Sequence, residues 1–192
     1  PQDFMYLIDA FHKAGIGVIL DWVPAHFPKD AHGLAMFDGT PLYERQNPAE
    51  AIHPFWGTLL YNYGSPMVKD FLISNACFWA EVYHADGLRM DDVDAMLYLD
   101  YGRNPGEWTP NIYGTNENLD ALEFLKHLNS VIKERNPGLL LVAQENGLWP
   151  ELTDSVGNDH LGFDYKWDMG WMSDTLSYFQ APVSERMEKY HK

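Results

Sequence analysis

The order of apolar periods along this chain predicts an α/β fold built on parallel strands. Three observations carry that reading. Helical spacing alternates with short apolar runs, the connections after the runs are long and irregular, and the runs end in polar residues. Phe4, Leu7, Ile8 and Phe11 fall at helical spacing behind Pro1, and Gly15 and Gly17 break the pattern ahead of Val18-Ile19-Leu20-Asp21-Trp22-Val23. From residue 23 to residue 65 the chain is rich in Pro, Gly, His and aromatics with no sustained period. A connection that long is generally functional. Val68, Phe71, Leu72, Phe78, Trp79 and Val82 then mark a helix from about Pro66 to Tyr83, followed by a short strand that ends in Arg89 and Asp91. A second irregular stretch, 92 to 116, precedes a helix with Leu122, Leu125, Leu128 and Ile132 on one face, and Asn136-Pro137-Gly138 stops it. The run Leu139-Leu140-Leu141-Val142-Ala143 follows and leads to Gln144 and Glu145. No repeat, low-complexity tract or linker interrupts the chain, which reads as one piece of one domain.

Composition narrows the chemistry. A chain of 192 residues with 46% hydrophobic content suits a soluble globular protein. Acidic side chains number 28 against 13 basic ones, a formal charge of −15 that repels phosphate backbones and anionic lipid. Neither a nucleic-acid partner nor a membrane is therefore expected. No run of about 18 apolar residues is present, no basic-then-apolar leader is visible, and a cytoplasmic setting fits. The single cysteine, Cys77, excludes an internal disulfide and lies among Phe71, Leu72, Phe78 and Trp79, as a small core residue would. Aromatics make up 15% of residues, several of them in polar, Gly- and Pro-rich stretches. Flat rings amid hydrogen-bonding side chains suit a neutral polyhydroxyl ligand such as a sugar. For any one ring, ordinary burial is the commoner explanation.

The segment Gly87-Leu88-Arg89-Met90-Asp91 is the most informative. Side chains alternate along a strand, so Arg89 and Asp91 share one face while Leu88 and Met90 share the other. A guanidinium beside a carboxylate favours its charged form, and the carboxyl end of a parallel-barrel strand is where such barrels do chemistry. Asp91 is thus a candidate nucleophile, although a structural ion pair capping a strand gives the same spacing. His32, His53, His84 and His127 show no His-x-x-x-His ligand spacing, so no metal and no cofactor are expected.

The strand ends Asp21-Trp22-Val23-Pro24-Ala25-His26, Gly87-Leu88-Arg89-Met90-Asp91 and Val142-Ala143-Gln144-Glu145 resemble the α-amylase superfamily of glycoside hydrolases. Within it, His26-Phe27-Pro28-Lys29-Asp30, Phe37-Asp38-Gly39-Thr40, Trp56-Gly57-Thr58, Asn62-Tyr63-Gly64, Met96-Leu97-Tyr98-Leu99-Asp100-Tyr101 and Tyr165-Lys166-Trp167-Asp168-Met169-Gly170-Trp171-Met172 resemble the bacterial 1,4-α-glucan (glycogen) branching enzymes. These blocks keep their order and spacing from near Pro1 to past Tyr178. The resemblance implies a partial (β/α)8 TIM barrel, with residues 1–192 supplying roughly strand 3 through the segment after strand 5 or 6 of a single catalytic domain. It also implies retaining transfer of an α-1,4-glucan segment to a 6-hydroxyl, with α-1,4-glucan or glycogen as substrate and no metal. Asp91 matches the nucleophile, Arg89 the residue that aims it, His26 a hydrogen bond to the sugar, and Asp21 a brace at the strand end. The family's third carboxylate would lie beyond residue 192, so the chain alone is expected to be inactive.

One position departs from the family pattern where it matters most. Branching enzymes usually read Ala-Glu-Glu-Ser-Thr at the acid/base, and the first Glu donates the proton. Here the run is Ala143-Gln144-Glu145-Asn146-Gly147, so an amide, which cannot give up a proton at neutral pH, holds the catalytic position. Glu145 is the alternative donor, but strand alternation turns it toward the surrounding helices if Val142 and Gln144 face the barrel axis. Asp92 and Asp94 also stand where small residues are commoner. Two other readings therefore stay open: an α-amylase-type hydrolase, and a glucan-binding relative with impaired catalysis.

Overall fold

The computed structural model describes residues 1–146, 149–150, 152–153 and 160–189. In chain order the elements are α1 (Gln2–Lys13), β1 (Ile19–Trp22), β2 (His26–Phe27), α2 (Pro48–Ala51), β3 (Leu59–Leu60), α3 (Pro66–Glu81), β4 (Gly87–Met90), α4 (Val93–Leu97), α5 (Leu119–Arg135), β5 (Leu140–Gln144), β6 (Tyr165–Trp167), α6 (Met169–Gln180) and α7 (Val183–Lys189). Strands β1, β4, β5 and β6 pair in that order, all parallel. The short β2 and β3 form a separate antiparallel pair.

The helices start where local chemistry favours it. Pro66 occupies the first turn of α3, where its missing N–H costs nothing. Asn118 caps α5 by accepting from Ala121 N, and its amide also donates to the Met96 carbonyl, tying α5 to α4. The sheet then divides the molecule by the parity of its strands. Leu88, Met90, Leu141 and Ala143 point to one face, where they are buried with Leu72, Ala76, Phe124, Leu125 and Leu128 of α3 and α5. Each of the larger side chains contributes about 1.5–3 kcal/mol by leaving water. Gly87 sits where neighbouring strands leave little room for a side chain, since a Cβ there would lie 3.0 Å from the Leu140 carbonyl oxygen and 3.1 Å from the Ile19 side chain.

The opposite face is polar at its carboxyl end. The register pairs Asp21 with Arg89, Arg89 with Val142, and Gln144 with Trp167. Period 2 therefore brings residues far apart in sequence into one row. The three predicted helix–strand pairs are present, whereas β6, the β2–β3 pair and the five-residue α4 lie in stretches without a readable period.

Candidate active site

Arg89 is the hub of the row. Its Nη1 lies 3.1 Å from Asp21 Oδ1, and its Nη2 donates to Asp91 Oδ1 at 3.2 Å and to Gln144 Oε1 at 2.5 Å. The guanidinium also stacks over Trp167, 5.0 Å from the ring centroid. Asp21, Arg89 and Trp167, with Ile19 and Val142, line a pocket of about 430 Å³. Only Arg has the planar fork to serve three partners in one plane while an aromatic ring covers its face. Arg89 donates hydrogen bonds and accepts none, so the Gln144 oxygen must face it and the Gln144 NH2 must point elsewhere.

Asp91 N donates to the Trp22 carbonyl at 3.1 Å, extending the β1–β4 ladder by one residue. The chain then turns sharply: Asp92 has a φ of 59°, in the left-handed region that Asp tolerates better than most residues. This turn swings the Asp92 carboxylate away from Asp91 and into a pocket of rings. His53 Nε2 approaches Asp92 Oδ2 at 2.7 Å, and His26 Nε2 lies 3.7 Å from the same oxygen. The two imidazoles meet edge to face at 4.9 Å, and Tyr101 packs on His53 at 5.9 Å. Burial, followed by the charges of Asp92 and Asp94 and a hydrogen bond to Asp92, raises the Tyr101 phenol above its ordinary range. Burial and the neighbouring His53 lower the His26 imidazole, while Asp92 and Asp91 oppose the shift. His26 itself is held through its strand: Tyr63, fully enclosed, donates its hydroxyl to the Pro24 carbonyl at 2.8 Å.

Two histidines and an aspartate converging this closely meet the distance requirement for a cation site. The hydrogen bonding points to a different role. His53 Nδ1 accepts from the backbone N–H groups of Phe55 and Trp56 at 3.2 and 3.3 Å, so its proton sits on Nε2 and donates to Asp92. A metal on Nε2 would force a proton onto Nδ1, directly against two N–H groups.

On the other face of β5, Glu145 is fully buried. Its Oε2 pairs with Lys166 at 2.7 Å and its Oε1 accepts from Trp149 N at 3.0 Å. Lys166 lies beside Ala143 in the register, opposite in parity to Trp167 and Gln144. The next two departures from the family pattern meet in space: Asp94 accepts from Asn146 N at 3.2 Å and from Asn146 Nδ2 at 2.5 Å. Burial, together with the charge of Glu145 and a hydrogen bond to it, pushes the Asp94 carboxyl up to about 6, against the pull of the Asn146 N–H. Gly147 lies outside the described residues.

The structure thus brings Asp21, Arg89, Asp91 and Gln144 together and sets His26 beside them through Asp92. Sequence reasoning missed His53 and Tyr101 as site residues, and gave Asp92 no role. A signal existed in the paired Asp91-Asp92, but no period links residue 92 to residue 53.

Comparisons with known proteins bear on the fold and the family. The structure superposes on a maltogenic alpha-amylase, AmyB, from Thermotoga neapolitana with a TM-score of 0.62 at 13% identity, covering 97% of this chain and 37% of that one. An alpha-amylase from Geobacillus thermoleovorans gives a TM-score of 0.57 at 20% identity, covering 91% and 35% of the respective chains. These likenesses give the class of fold, part of the wall of an α-amylase-type (β/α)8 barrel. In sequence, the chain is 57% identical over 192 residues to the 1,4-alpha-glucan branching enzyme GlgB of Rubrobacter xylanophilus, covering all of this chain and 26% of that protein. It is 56% identical over 191 residues to the corresponding enzyme of Thermobifida fusca, covering all of this chain and 25% of that protein. No protein-family model matches the chain. The chain belongs to the family of 1,4-alpha-glucan branching enzymes, and it spans about a quarter of the length of the relatives it matches.

Proposed function

We propose that the full-length protein is a branching-type α-glucan transferase of the cytoplasm, and that this chain carries the wall of its catalytic site. The observation that supports this most is the Arg89 hub, which draws Asp91 and side chain 144 to one guanidinium at the carboxyl ends of adjacent parallel strands. Retaining cleavage of a glycosidic bond uses two carboxyl groups about 5 to 5.5 Å apart. In this reading Asp91 attacks the anomeric carbon of an α-1,4-linked glucose, the carbon–oxygen bond breaks, and a glucosyl ester forms. A group at position 144 protonates the departing 4-oxygen. A glucan 6-hydroxyl then displaces Asp91 and returns its proton to the same group, leaving an α-1,6 branch. Arg89 aims Asp91, His26 hydrogen-bonds the sugar, and Asp21 braces Arg89 from the other side.

With Gln144 in that place the NH2 left over from the Arg89 contact can hydrogen-bond the glycosidic oxygen but cannot protonate it. This favours a second reading, a glucan-binding protein with slow chemistry. Glu145 does not offer a way around it, because both its oxygens are engaged on the far face of β5. Product analysis with the full-length protein on linear α-1,4-glucan separates the readings. New 1,6 linkages without loss of polymer support the transferase, free reducing sugar supports a hydrolase, and binding without turnover supports the impaired relative.

A further inference from the structure

Phe55 is 67% exposed, yet it packs against His53 and Tyr101. Its backbone N–H donates to His53 Nδ1 at 3.2 Å, and its ring meets Tyr101 edge to face at 5.6 Å. Beneath the ring runs the backbone of Gly102, whose φ of 65° suits glycine. A Cβ at that glycine would lie 2.8 Å from the Phe55 ring. Arg103, the next residue, donates to the carbonyls of Ala49, Glu50 and Ile52, so the loop under the ring is stitched to the loop that carries it. The next side chain, Trp56, is 70% exposed and has its own N–H on the same His53 nitrogen.

A large apolar ring that is packed along one side and bare on the other has already lost part of its rotamer freedom, so a ligand stacking on it incurs less ordering cost. The ring is also tied to the site just described. His53, which holds it, donates to Asp92, and Asp92 follows Asp91. The carboxylates of Asp91, Asp92 and Asp94 all lie near enough to act on Tyr101, the ring's neighbour, which disfavours an anion and leaves a neutral ligand that presents a flat C–H face.

We infer that Phe55 is a stacking platform for one glucose ring of an α-1,4-glucan chain lying across the Asp91 site, with Trp56 at its edge. The inference rests on the glucan reading above and adds a specificity contact outside the row of charged residues. It also explains the His53 tautomer, because the same imidazole fixes the platform on one nitrogen and the turn after Asp91 on the other.

The test is maltoheptaose binding to the full-length protein by calorimetry, which needs no turnover and so is indifferent to Gln144. Phe55→Ala should weaken binding roughly three- to tenfold, the range given by loss of one ring contact, and Phe55→Tyr should bind as the parent does. A second measurement needs no change at Phe55. Bound maltoheptaose should shield Trp56 from acrylamide quenching, read as the difference between the parent and Trp56→Phe. If the parent binds and neither Phe55→Ala nor the quenching responds, the platform is refuted while the glucan reading stands. The platform is refuted equally if Trp56 is already shielded in the full-length protein without ligand. If the parent binds neither maltoheptaose nor glycogen, the glucan reading itself falls.

Discussion

One nitrogen of Arg89, Nη2, reaches both Asp91 Oδ1 and Gln144 Oε1. The two side chains that a retaining mechanism needs on opposite sides of a bond are therefore oriented by a single donor. In the full-length protein Gln144→Glu should keep that contact, because a carboxyl oxygen accepts as the amide oxygen does, while adding a transferable proton. The expected gain in the rate on linear glucan is about 10²- to 10⁴-fold. An unchanged rate would mean that proton donation is not what limits this site.

Arg89→Lys tests the hub. An ammonium is a point charge and cannot reach Asp21, Asp91 and Gln144 together while stacking on Trp167. In the Gln144→Glu background we expect the rate to fall by at least about tenfold, the loss of orientation being larger than the loss of binding. Asp21 and Asp91 remain partly in water, with side-chain exposures of 70% and 40%, so the melting temperature should change little. A large drop in melting temperature with an intact rate would assign Arg89 to the fold instead.

His53→Ala should act mainly on stability. It replaces a fully buried imidazole, stripping the acceptor from two backbone N–H groups and a donor from the largely buried Asp92, an expected loss of about 2–5 kcal/mol in a urea titration. With the His53 proton on Nε2, Zn²⁺ is expected not to raise the melting temperature of the parent. A zinc-dependent rise that disappears in His53→Ala would overturn the assignment.

Asp94 gives a pH signature. Its folded value of about 6 lies above the ordinary 3.8, so the folded protein holds this proton more tightly than the unfolded chain does. The resulting stabilisation is complete below about pH 4 and is lost as pH rises through about 6. Asp94→Asn imitates the protonated form: its NH2 can serve Glu145 and its oxygen Asn146. The difference in melting temperature, variant minus parent, should therefore grow between pH 4 and pH 6. A constant difference across that range would refute the shared-proton arrangement.

The shared face of Arg89 and Asp91 was legible because alternation along a strand is periodic and the hydrophobic runs fixed the strand limits to within a residue or two, whereas Asp21 came from the family resemblance alone. Leu88 and Met90 facing the helices announce Arg89 and Asp91 facing away. His53, Asp92 and Phe55 obey no such rule. Residues 53 and 92 are 39 positions apart across two irregular loops, and their meeting depends on a left-handed turn at Asp92 that nothing local demands. The β2–β3 pair that steers His26 is two residues long on each side, too short to leave a pattern. The turn of Glu145 away from the Gln144 face was foreseen from alternation, but its partner Lys166 was not, since β6 is only three residues long.

Asp94 and Asn146 satisfy one another just beyond the end of β5. Restoring a small residue at either position alone would strand a polar group without its mate, so these two sites are epistatic and exchange without loss only as a pair. Repair of the acid at 144 breaks neither of these hydrogen bonds and carries no such penalty. A single substitution could then supply the missing proton without disturbing its surroundings, making the amide the most readily reversed of these departures.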